Sequence, residues 1–201
     1  MTSPDAKRWN ERYLEDKRFT TFTQPRPFLL DNARFLPEGG LALDVAMGLG
    51  GNAGFLLERG LRVLGVDISW VAVQRAKEQY PDLMAVNADL NDFYLPDHTF
   101  DVILNFYYLQ RDLLIAYQRA LRPGGMLIME TLTLDILHIH PGTDPKYLLA
   151  PGELRQAFAE WEILVYREGW EESRAGQPQA VASLVARKRE SASVVKFKTA
   201  R

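Results

Sequence analysis

Two glycines and two aspartates lie in one stretch of this chain, at spacings that suit a nucleoside-binding turn. Gly48 and Gly50 follow an apolar run, and glycines in such a turn let the backbone approach a ligand closely. A helix after the turn would aim its first amide N–H groups at the same point. Asp67 ends the next apolar run, where a carboxylate accepts hydrogen bonds from ribose hydroxyls. The stretch therefore predicts a site for a nucleoside-containing cofactor.

Two classes of cofactor fit this turn to different degrees. Gly48, Gly50 and Ala53 satisfy the G-x-G-x-x-G/A fingerprint, which together with Asp67 is typical of nicotinamide and flavin enzymes. Asp44 counts against that class, because its carboxylate would face and repel the pyrophosphate of a dinucleotide. A carboxylate at this position suits a cofactor that presents a cation.

Strands and helices alternate through most of the chain, which is typical of a Rossmann-like, doubly wound α/β fold. The strands are continuously apolar, as in a mostly parallel sheet that helices cover on both faces. Seven strands are predicted, over residues 41–46, 61–66, 83–87, 100–105, 126–131, 161–167 and 179–187. Helices are predicted over residues 4–16, 28–36, 51–59, 69–80, 111–121 and 151–158. The turn that joins the last two strands is too short for a parallel crossover, so it predicts an antiparallel hairpin.

Several segments lie outside this alternation of strands and helices. Residues 122–125 predict a turn before the fifth strand, and residues 132–150 form an irregular connection of a kind that is often functional. We expect residues 1–40 to form N-terminal helices that cap the domain of residues 41–188, and residues 189–201 to be a mobile tail.

The first predicted helix carries Trp9, Tyr13 and Leu14 on one face. Two interpretations of that face stay open. It packs the helix on the edge of the domain, or it forms a lid whose aromatic side chains cover the cofactor pocket.

Composition excludes several classes of function. The chain has 201 residues, which suits one domain, and its net charge of −2 gives no argument for a nucleic-acid or membrane partner. The absence of cysteine excludes disulfides and thiolate metal sites and fits a reducing cytoplasm. No apolar run reaches the roughly 20 residues that cross a bilayer, and the N-terminus lacks a signal-peptide pattern. We therefore expect a cytoplasmic protein, and its oligomeric state stays open.

Five short motifs, in this order, resemble those of the class I S-adenosylmethionine-dependent methyltransferases. They are LALDVAMGLGGN, GVDIS, NADL, FDVILNFYYL and ALRPGGMLIMET, and the resemblance covers residues 40–187. The pieces WNERY, NFYYLQRDLL, METLTLDIL and YLLAPGEL are similar to small bacterial enzymes of the tellurite-resistance and thiopurine methyltransferase group. Met47 and Leu49 depart from the family pattern, in which small or acidic residues are common. Both positions contribute mainly backbone, so cofactor binding is expected to survive.

The resemblance implies S-adenosyl-L-methionine as the cofactor and implies which residues contact each part of it. Gly48 and Gly50 would approach the amino-acid end, Asp44 would lie near the ammonium, and Asp67 would take the ribose hydroxyls. Asp89 ends the third strand, where it can accept a hydrogen bond from the adenine amino group. The other implied cofactor contacts lie at the ends of the first four strands, at Ala46, Ile68, Asp89, Leu90, Asn105 and Phe106.

Candidates for the acceptor side follow the fourth strand. Tyr107, Tyr108 and Arg111 lie near the carboxyl edge, where open α/β sheets bind ligands, and we take them as the catalytic candidates. His138 and His140 would suggest a metal pair only with a third ligand, and none is evident nearby. We therefore expect surface histidines and no metal.

The expected function is methyl transfer by in-line displacement to a small-molecule acceptor such as a thiol or a metalloid species. A general base is needed only if the acceptor must lose a proton, and a sulfur, selenium or tellurium nucleophile would need none. Glu130 ends the fifth strand and is a further candidate for the pocket. Two alternatives stay open, an NAD(P)-binding oxidoreductase and a non-catalytic S-adenosylmethionine-binding protein.

Overall fold

A seven-stranded sheet forms the centre of the computed structural model, which describes residues 3–15, 23–173 and 175–190. The strand order is β3-β2-β1-β4-β5-β7-β6; the first five strands of this order are parallel, whereas β7 is antiparallel to both β5 and β6. The strands are β1 Leu41–Val45, β2 Arg62–Asp67, β3 Met84–Asn87, β4 Phe100–Phe106, β5 Leu121–Leu132, β6 Glu162–Glu172 and β7 Pro178–Arg187. The predicted mixed sheet with its terminal antiparallel hairpin is confirmed.

Six α-helices accompany the sheet in the described ranges. They are α1 Pro4–Glu15, α2 Pro27–Asp31, α3 Gly51–Glu58, α4 Trp70–Gln79, α5 Arg111–Ala120 and α6 Glu153–Ala157. Serine side chains cap the starts of α1 and α4. The Ala6 nitrogen lies 3.2 Å from the Ser3 hydroxyl oxygen, and the Ala72 nitrogen lies 3.2 Å from that of Ser69. No helix in these ranges is long and apolar enough to span a membrane.

Both faces of the sheet are buried under helices. On β4, Ile103 belongs to the core that α5 and α6 cover, whereas its neighbours Val102 and Leu104 belong to the core under α2, α3 and α4. Successive residues of a strand point to opposite faces, so an all-apolar strand supplies both cores at once. This packing explains why the strands lack an alternating polar pattern.

The structure corrects two predicted boundaries. The helix predicted over residues 28–36 ends at Asp31 and is followed by a 3₁₀ turn, because the Asn32 side-chain amide donates to the Phe28 carbonyl at 2.8 Å. The predicted turn at residues 122–125 lies within β5, as an excursion between the pairs Phe100–Leu121 and Val102–Met126. Gly124 has a φ of +79°, which lets the chain fold back into register there.

The structure adds detail to the predicted connection at residues 132–150, whereas most of the predicted tail lies outside the residues that it describes. Residues 132–150 contain two 3₁₀ helices and a bridge between Thr133 and Leu149. Residues 16–22 lie outside the described residues, as does the tail predicted at 189–201 beyond residue 190.

We predict that Leu43→Ala destabilises the protein by about 2–5 kcal/mol, because it leaves a cavity in a closely packed sheet face. Leu43 is fully buried on β1. Ile115→Ala is the matched control, since this side chain is 64% exposed and its loss should change stability by no more than about 0.5 kcal/mol. Equal urea-unfolding midpoints for the two variants would contradict the packing described here.

Candidate active site

A cavity of about 860 Å³ opens at the carboxyl ends of β1, β2 and β4. The strand order reverses between β1 and β4, which is the point where open α/β sheets bind ligands. Helix α1 and residues 142–148 supply further walls. The cavity is lined by most of the predicted site residues, namely Asp44, Ala46, Gly48, Asp67, Ile68, Asp89, Leu90, Phe106, Tyr107 and Tyr108.

The turn after β1 is held in an uncommon backbone conformation. Ala46, Gly48 and Gly50 all have positive φ angles, of +50°, +56° and +77°. For Ala46 this conformation costs about 1–3 kcal/mol, and such strain is typical of functional sites. A Cβ on Gly48 would lie 2.6 Å from the Tyr13 hydroxyl, so a larger residue would displace Tyr13 and would also be strained by the positive φ. Gly50 does not line the cavity, since a Cβ there would face Ala76.

Asp67 fixes this turn to the end of β2. Its Oδ2 accepts the Gly48 N–H at 2.8 Å, and its Oδ1 accepts the Ser69 N–H at 2.8 Å. Burial raises the pKa of Asp67 to about 6, and the N–H groups of Ser69, Gly48 and Ile68 act in the opposite direction. The carboxylate thus shapes the turn and lines the cavity at the same time.

Asp44 brings an unsatisfied carboxylate oxygen to the cavity wall. The residue is 1% exposed, and its Oδ2 has no hydrogen-bond partner among the described residues. Burial raises the pKa of Asp44 to about 7, whereas a hydrogen bond from the Ala53 N–H lowers it. A buried acceptor without a partner is costly, so this wall suits a ligand that brings a cation or a strong donor. The ammonium of S-adenosylmethionine fits that requirement.

We predict that Asp44→Asn stabilises the ligand-free protein near neutral and alkaline pH. The folded pKa of about 7 exceeds the unfolded value of 3.8, so the folded state binds this proton more tightly. The stability it contributes is complete below about pH 4 and is lost as the pH rises through about 7. Each pKa unit is about 1.4 kcal/mol, so the variant should gain about 2–4 kcal/mol at pH 8.

Chemical unfolding of both proteins at several pH values measures this gain. The advantage of Asp44→Asn should shrink steadily toward pH 5. A difference that is independent of pH would contradict the assignment of a buried, titrating carboxyl at this position.

The predicted adenine side lies at the ends of β2 and β3. Ile68, Asp89 and Leu90 line the cavity there, and Asn91 lines it as well, although sequence reasoning did not single it out. Asp89 Oδ1 accepts the Asn91 N–H at 3.0 Å and its side-chain amide at 2.8 Å. These hydrogen bonds hold the residues after β3 in a turn.

Asn105 does not reach the cavity. It is buried, and its amide nitrogen donates to the Tyr117 hydroxyl at 2.9 Å, inside the core under α5. The neighbouring Phe106 does line the cavity. Asn105 and Phe106 are successive strand residues, so their side chains lie on opposite faces of the sheet.

Tyr107 and Tyr108 both line the cavity, at the end of β4. The Tyr107 hydroxyl lies 3.0 Å from Glu130 Oε1, whereas the Tyr108 hydroxyl donates to Gln110 Oε1 at 2.8 Å. Burial raises the pKa of Tyr108 to about 12 and raises the pKa of Tyr107 as well, so both phenols are protonated at neutral pH. Tyr107 also has a positive φ of +57°, which turns the chain sharply at the sheet edge.

Arg111 lies outside the cavity, which corrects its predicted place beside the acceptor. Its guanidinium donates to both carboxylate oxygens of Glu153, at 2.7 and 3.0 Å, and to the carbonyls of Lys146 and Leu148. Glu153 also accepts the Ala150 N–H. Arg111 thus fixes the segment that forms one wall of the cavity, so its role in the structure is positioning.

We predict that Arg111→Ala destabilises the protein by about 1–2 kcal/mol, since it removes several charge-assisted hydrogen bonds at a partly exposed position. Backbone amides of residues 146–150 should exchange with deuterium faster in this variant. Arg119→Ala is the control, because that guanidinium lies on the surface, 4.0 Å from Asp97. Unchanged exchange at residues 146–150 would show that Arg111 does not hold this wall.

Helix α1 is docked on the start of α4. Asn10 Oδ1 lies 2.8 Å from the Ser69 hydroxyl and accepts the Val71 N–H at 3.2 Å, and Arg75 donates to the Tyr13 carbonyl at 2.6 Å. Trp9 and Tyr13 line the cavity, as the lid interpretation requires, whereas Leu14 is exposed. Movement of α1 as a lid remains a prediction.

Sequence reasoning missed two further wall residues. The Arg26 guanidinium carbon lies 4.4 Å from the centre of the Tyr107 ring, and the Arg26 N–H donates to Asn52 Oδ1 at 2.8 Å. Arg26 lies outside all five motifs, whereas Asn52 is the last residue of the motif LALDVAMGLGGN but was given no role there. His138 and His140 are exposed, as expected, and His138 Nδ1 lies 2.8 Å from the Asp135 carbonyl.

Comparison with known proteins agrees with this geometry. A family model described as a methyltransferase domain matches residues 42–125. A probable S-adenosylmethionine-dependent methyltransferase of Mycolicibacterium smegmatis is 29% identical over 94 residues, 44% of this chain and 37% of that protein. Hemagglutinin 1 of Eikenella corrodens is 34% identical over 142 residues, 63% of this chain and 45% of that protein. The crystal structure of TehB from Haemophilus influenzae matches with a TM-score of 0.70 at 18% identity, over 90% of this chain and 67% of that one.

Residues 42–125 are thus similar to a methyltransferase domain, and most of the chain shares its fold with a structure such as TehB. Membership of the class I S-adenosylmethionine-dependent methyltransferases is a proposal. The chain spans less than half the length of the curated relatives it matches. The likeness to TehB is one of fold alone, so membership of the tellurite-resistance and thiopurine group remains a prediction.

Proposed function

We propose that the protein transfers a methyl group from S-adenosylmethionine to a small-molecule acceptor. The observation that supports this most strongly is the unpartnered Asp44 oxygen, buried beside a glycine turn that Asp67 fixes in place. A cationic amino-acid end would satisfy that oxygen, whereas the pyrophosphate of a dinucleotide would be repelled by it.

The residues of the chain have well-defined tasks in this proposal. S-adenosylmethionine, when bound, supplies a sulfonium methyl group that is already activated for displacement. Asp44 would hold the ammonium, Asp67 the ribose hydroxyls, and Asp89 with Leu90 the adenine edge. The cavity walls from α1 and residues 142–148 would exclude water and orient the acceptor in line, which supplies several kcal/mol of barrier reduction.

The cavity favours a small acceptor over a macromolecule. Its volume of about 860 Å³ lies within the range of small-molecule sites, and α1 and residues 142–148 form part of its lining. Its lining mixes charges of both signs, with Asp5 paired to Arg8 and Asp144 paired to Lys146. A nucleic-acid surface would instead carry an excess of lysine and arginine. A thiol or metalloid acceptor is suggested only by the sequence resemblance.

The first alternative to this proposal differs in the cofactor that is bound, and the second differs in that no reaction is catalysed. An NAD(P)-dependent oxidoreductase shares the G-x-G-x-x-A turn and an acidic residue at the end of β2. A non-catalytic binder would hold S-adenosylmethionine without transferring its methyl group. Asp44 argues against the first alternative, and the aromatic wall of Tyr107 and Tyr108 argues weakly against the second.

We predict that S-adenosylhomocysteine raises the unfolding temperature and that NAD and NADP do not. A ligand present at about a hundred times its dissociation constant adds about 2.7 kcal/mol of stability. Thermal unfolding with each compound, followed by fluorescence, measures this difference. Stabilisation by NAD or NADP, without any by S-adenosylhomocysteine, would refute the proposed cofactor.

We further predict that Asp67→Asn weakens S-adenosylhomocysteine binding by about 10- to 100-fold, the size expected for losing hydrogen bonds to a charged acceptor. Asparagine keeps the size of the side chain but offers one acceptor oxygen, whereas Asp67 accepts from both Gly48 and Ser69, so the turn is weakened as well. Thermal unfolding of the variant without ligand measures that part of the effect. Asp92→Asn is the control, because that carboxylate is exposed and outside the cavity. Equal affinities of the two variants in calorimetry would show that the ribose lies elsewhere.

A further inference from the structure

A buried glutamate lies directly behind the acceptor wall. Glu130 on β5 is only 3% exposed, and neither the predicted cofactor contacts nor the fold requires a carboxylate there. Its Oε1 lies 3.0 Å from the Tyr107 hydroxyl, and its Oε2 lies 2.8 Å from the Ser183 hydroxyl on β7. Both carboxylate oxygens thus have a hydroxyl donor, which favours the ionised form of a group that burial disfavours.

Tyr107 lies between this glutamate and the cavity. Tyr107 lines the cavity, and its hydroxyl accepts a hydrogen bond from the Gln179 amide at 2.7 Å while it donates to Glu130. Gln179 is held in turn by Glu171, at 2.8 Å. Gln179 is the donor to the Tyr107 oxygen among the described residues, so a ligand donor would take the place of that side-chain amide.

Several charged groups surround Glu130. Burial raises its pKa, and the Glu171 carboxylate on β6 raises it further. The hydroxyls of Ser183 and Tyr107 lower that pKa, as does the Arg26 guanidinium above the Tyr107 ring. A carboxylate whose pKa is raised from its ordinary value is a stronger proton acceptor than an exposed carboxylate.

We propose that Tyr107 and Glu130 form a proton-accepting pair, and that the methyl acceptor therefore attacks through an atom that carries a proton, a hydroxyl oxygen or an amine nitrogen. The inference rests on the proposed function and narrows its substrate class. A sulfur, selenium or tellurium nucleophile would not need this pair. The geometry therefore points away from the soft acceptors that the sequence resemblance suggests.

The proposed step balances atoms and charge. The acceptor oxygen forms a bond to the methyl carbon as the carbon–sulfur bond of the sulfonium breaks, and the sulfur keeps the electron pair. The acceptor proton moves to Tyr107 Oη while the Tyr107 proton moves to Glu130 Oε1. The products are the methylated acceptor, neutral S-adenosylhomocysteine and protonated Glu130, which then returns its proton to solvent.

Two small molecules of similar shape test the Tyr107–Glu130 pair by binding alone, without catalysis. Protein saturated with S-adenosylhomocysteine is titrated calorimetrically with 4-methylphenol, which donates a hydrogen bond, and with 4-fluorotoluene, which does not. We expect the phenol to bind at least about tenfold more tightly. Glu130→Gln and Tyr107→Phe should reduce that preference to about threefold or less, with S-adenosylhomocysteine affinity unchanged.

Tyr166→Phe is the matched control, because Tyr166 is also a tyrosine hydrogen-bonded to a glutamate, Glu168, but it lies outside the cavity. This variant should keep the full preference for the phenol. Equal binding of the two probes to the wild-type protein, or no binding of either, would overturn the pair and leave the proposed cofactor intact. A protein that does not bind S-adenosylhomocysteine at all would overturn both proposals.

Kinetics with S-adenosylmethionine distinguish proton transfer from a structural role. For 4-methylphenol, kcat should fall as the pH falls through the pKa of Glu130, and Glu130→Gln should lower it about 100-fold with KM for S-adenosylmethionine unchanged. For 4-methylbenzenethiol, the variant should keep kcat within about threefold, since a thiol needs no base. Equal losses for the phenol and the thiol would show that Glu130 only supports the structure, and would overturn the proposal.

Discussion

The hydrogen bond from the Gly48 N–H to the Asp67 carboxylate is the contact on which the site depends. It joins the turn after β1 to the end of β2, so the two neighbouring strands share one ligand-binding edge. The positive φ angles of Ala46 and Gly48 are tolerated because this contact and the bond from the Met47 N–H to the Val66 carbonyl hold the turn. The Ser69 N–H shares the same carboxylate, so the start of α4 and its partner α1 are placed by it too.

Buried carboxylates give this edge its chemical character. Asp44 and Asp67 are both nearly inaccessible, and burial raises the pKa of each. Asp67 is satisfied by backbone N–H groups, whereas one oxygen of Asp44 has no donor among the described residues. The site thus stores an electrostatic cost that a cationic ligand would relieve. Glu130, which lies behind Tyr107, differs from Asp44 because both of its oxygens have hydroxyl donors.

Much of the fold could be predicted from the sequence, because the relevant signals are local. Apolar runs mark the strands, Ser3 and Ser69 mark helix starts, and the short turn between the last strands requires an antiparallel pair. The glycine turn and its two aspartates were also identifiable, since motif spacing along the chain fixes their places at the strand ends. The excursion within β5 could not be predicted, because it depends on the register against β4.

The acceptor side of the site was harder to predict, because it too depends on contacts between distant parts of the sequence. Asn105 turns into the core because its strand alternates, and Arg111 pairs with Glu153, which is 42 residues away. The partners of Tyr107 come from β5 and β7, and only the antiparallel register places Ser183 opposite Glu130. Contacts between residues so far apart along the chain cannot be inferred from motif spacing or composition.

The claim that Asp44 selects a cationic cofactor is tested most directly by comparing two ligands in calorimetry. One is S-adenosylhomocysteine, and the other is 5′-methylthioadenosine, which keeps the nucleoside and the sulfur but lacks the amino-acid end. The account predicts that S-adenosylhomocysteine binds at least about 100-fold more tightly near pH 8, and that Asp44→Asn removes most of that difference. Equal affinity of the two ligands for the wild-type protein, or an undiminished difference in Asp44→Asn, would contradict it.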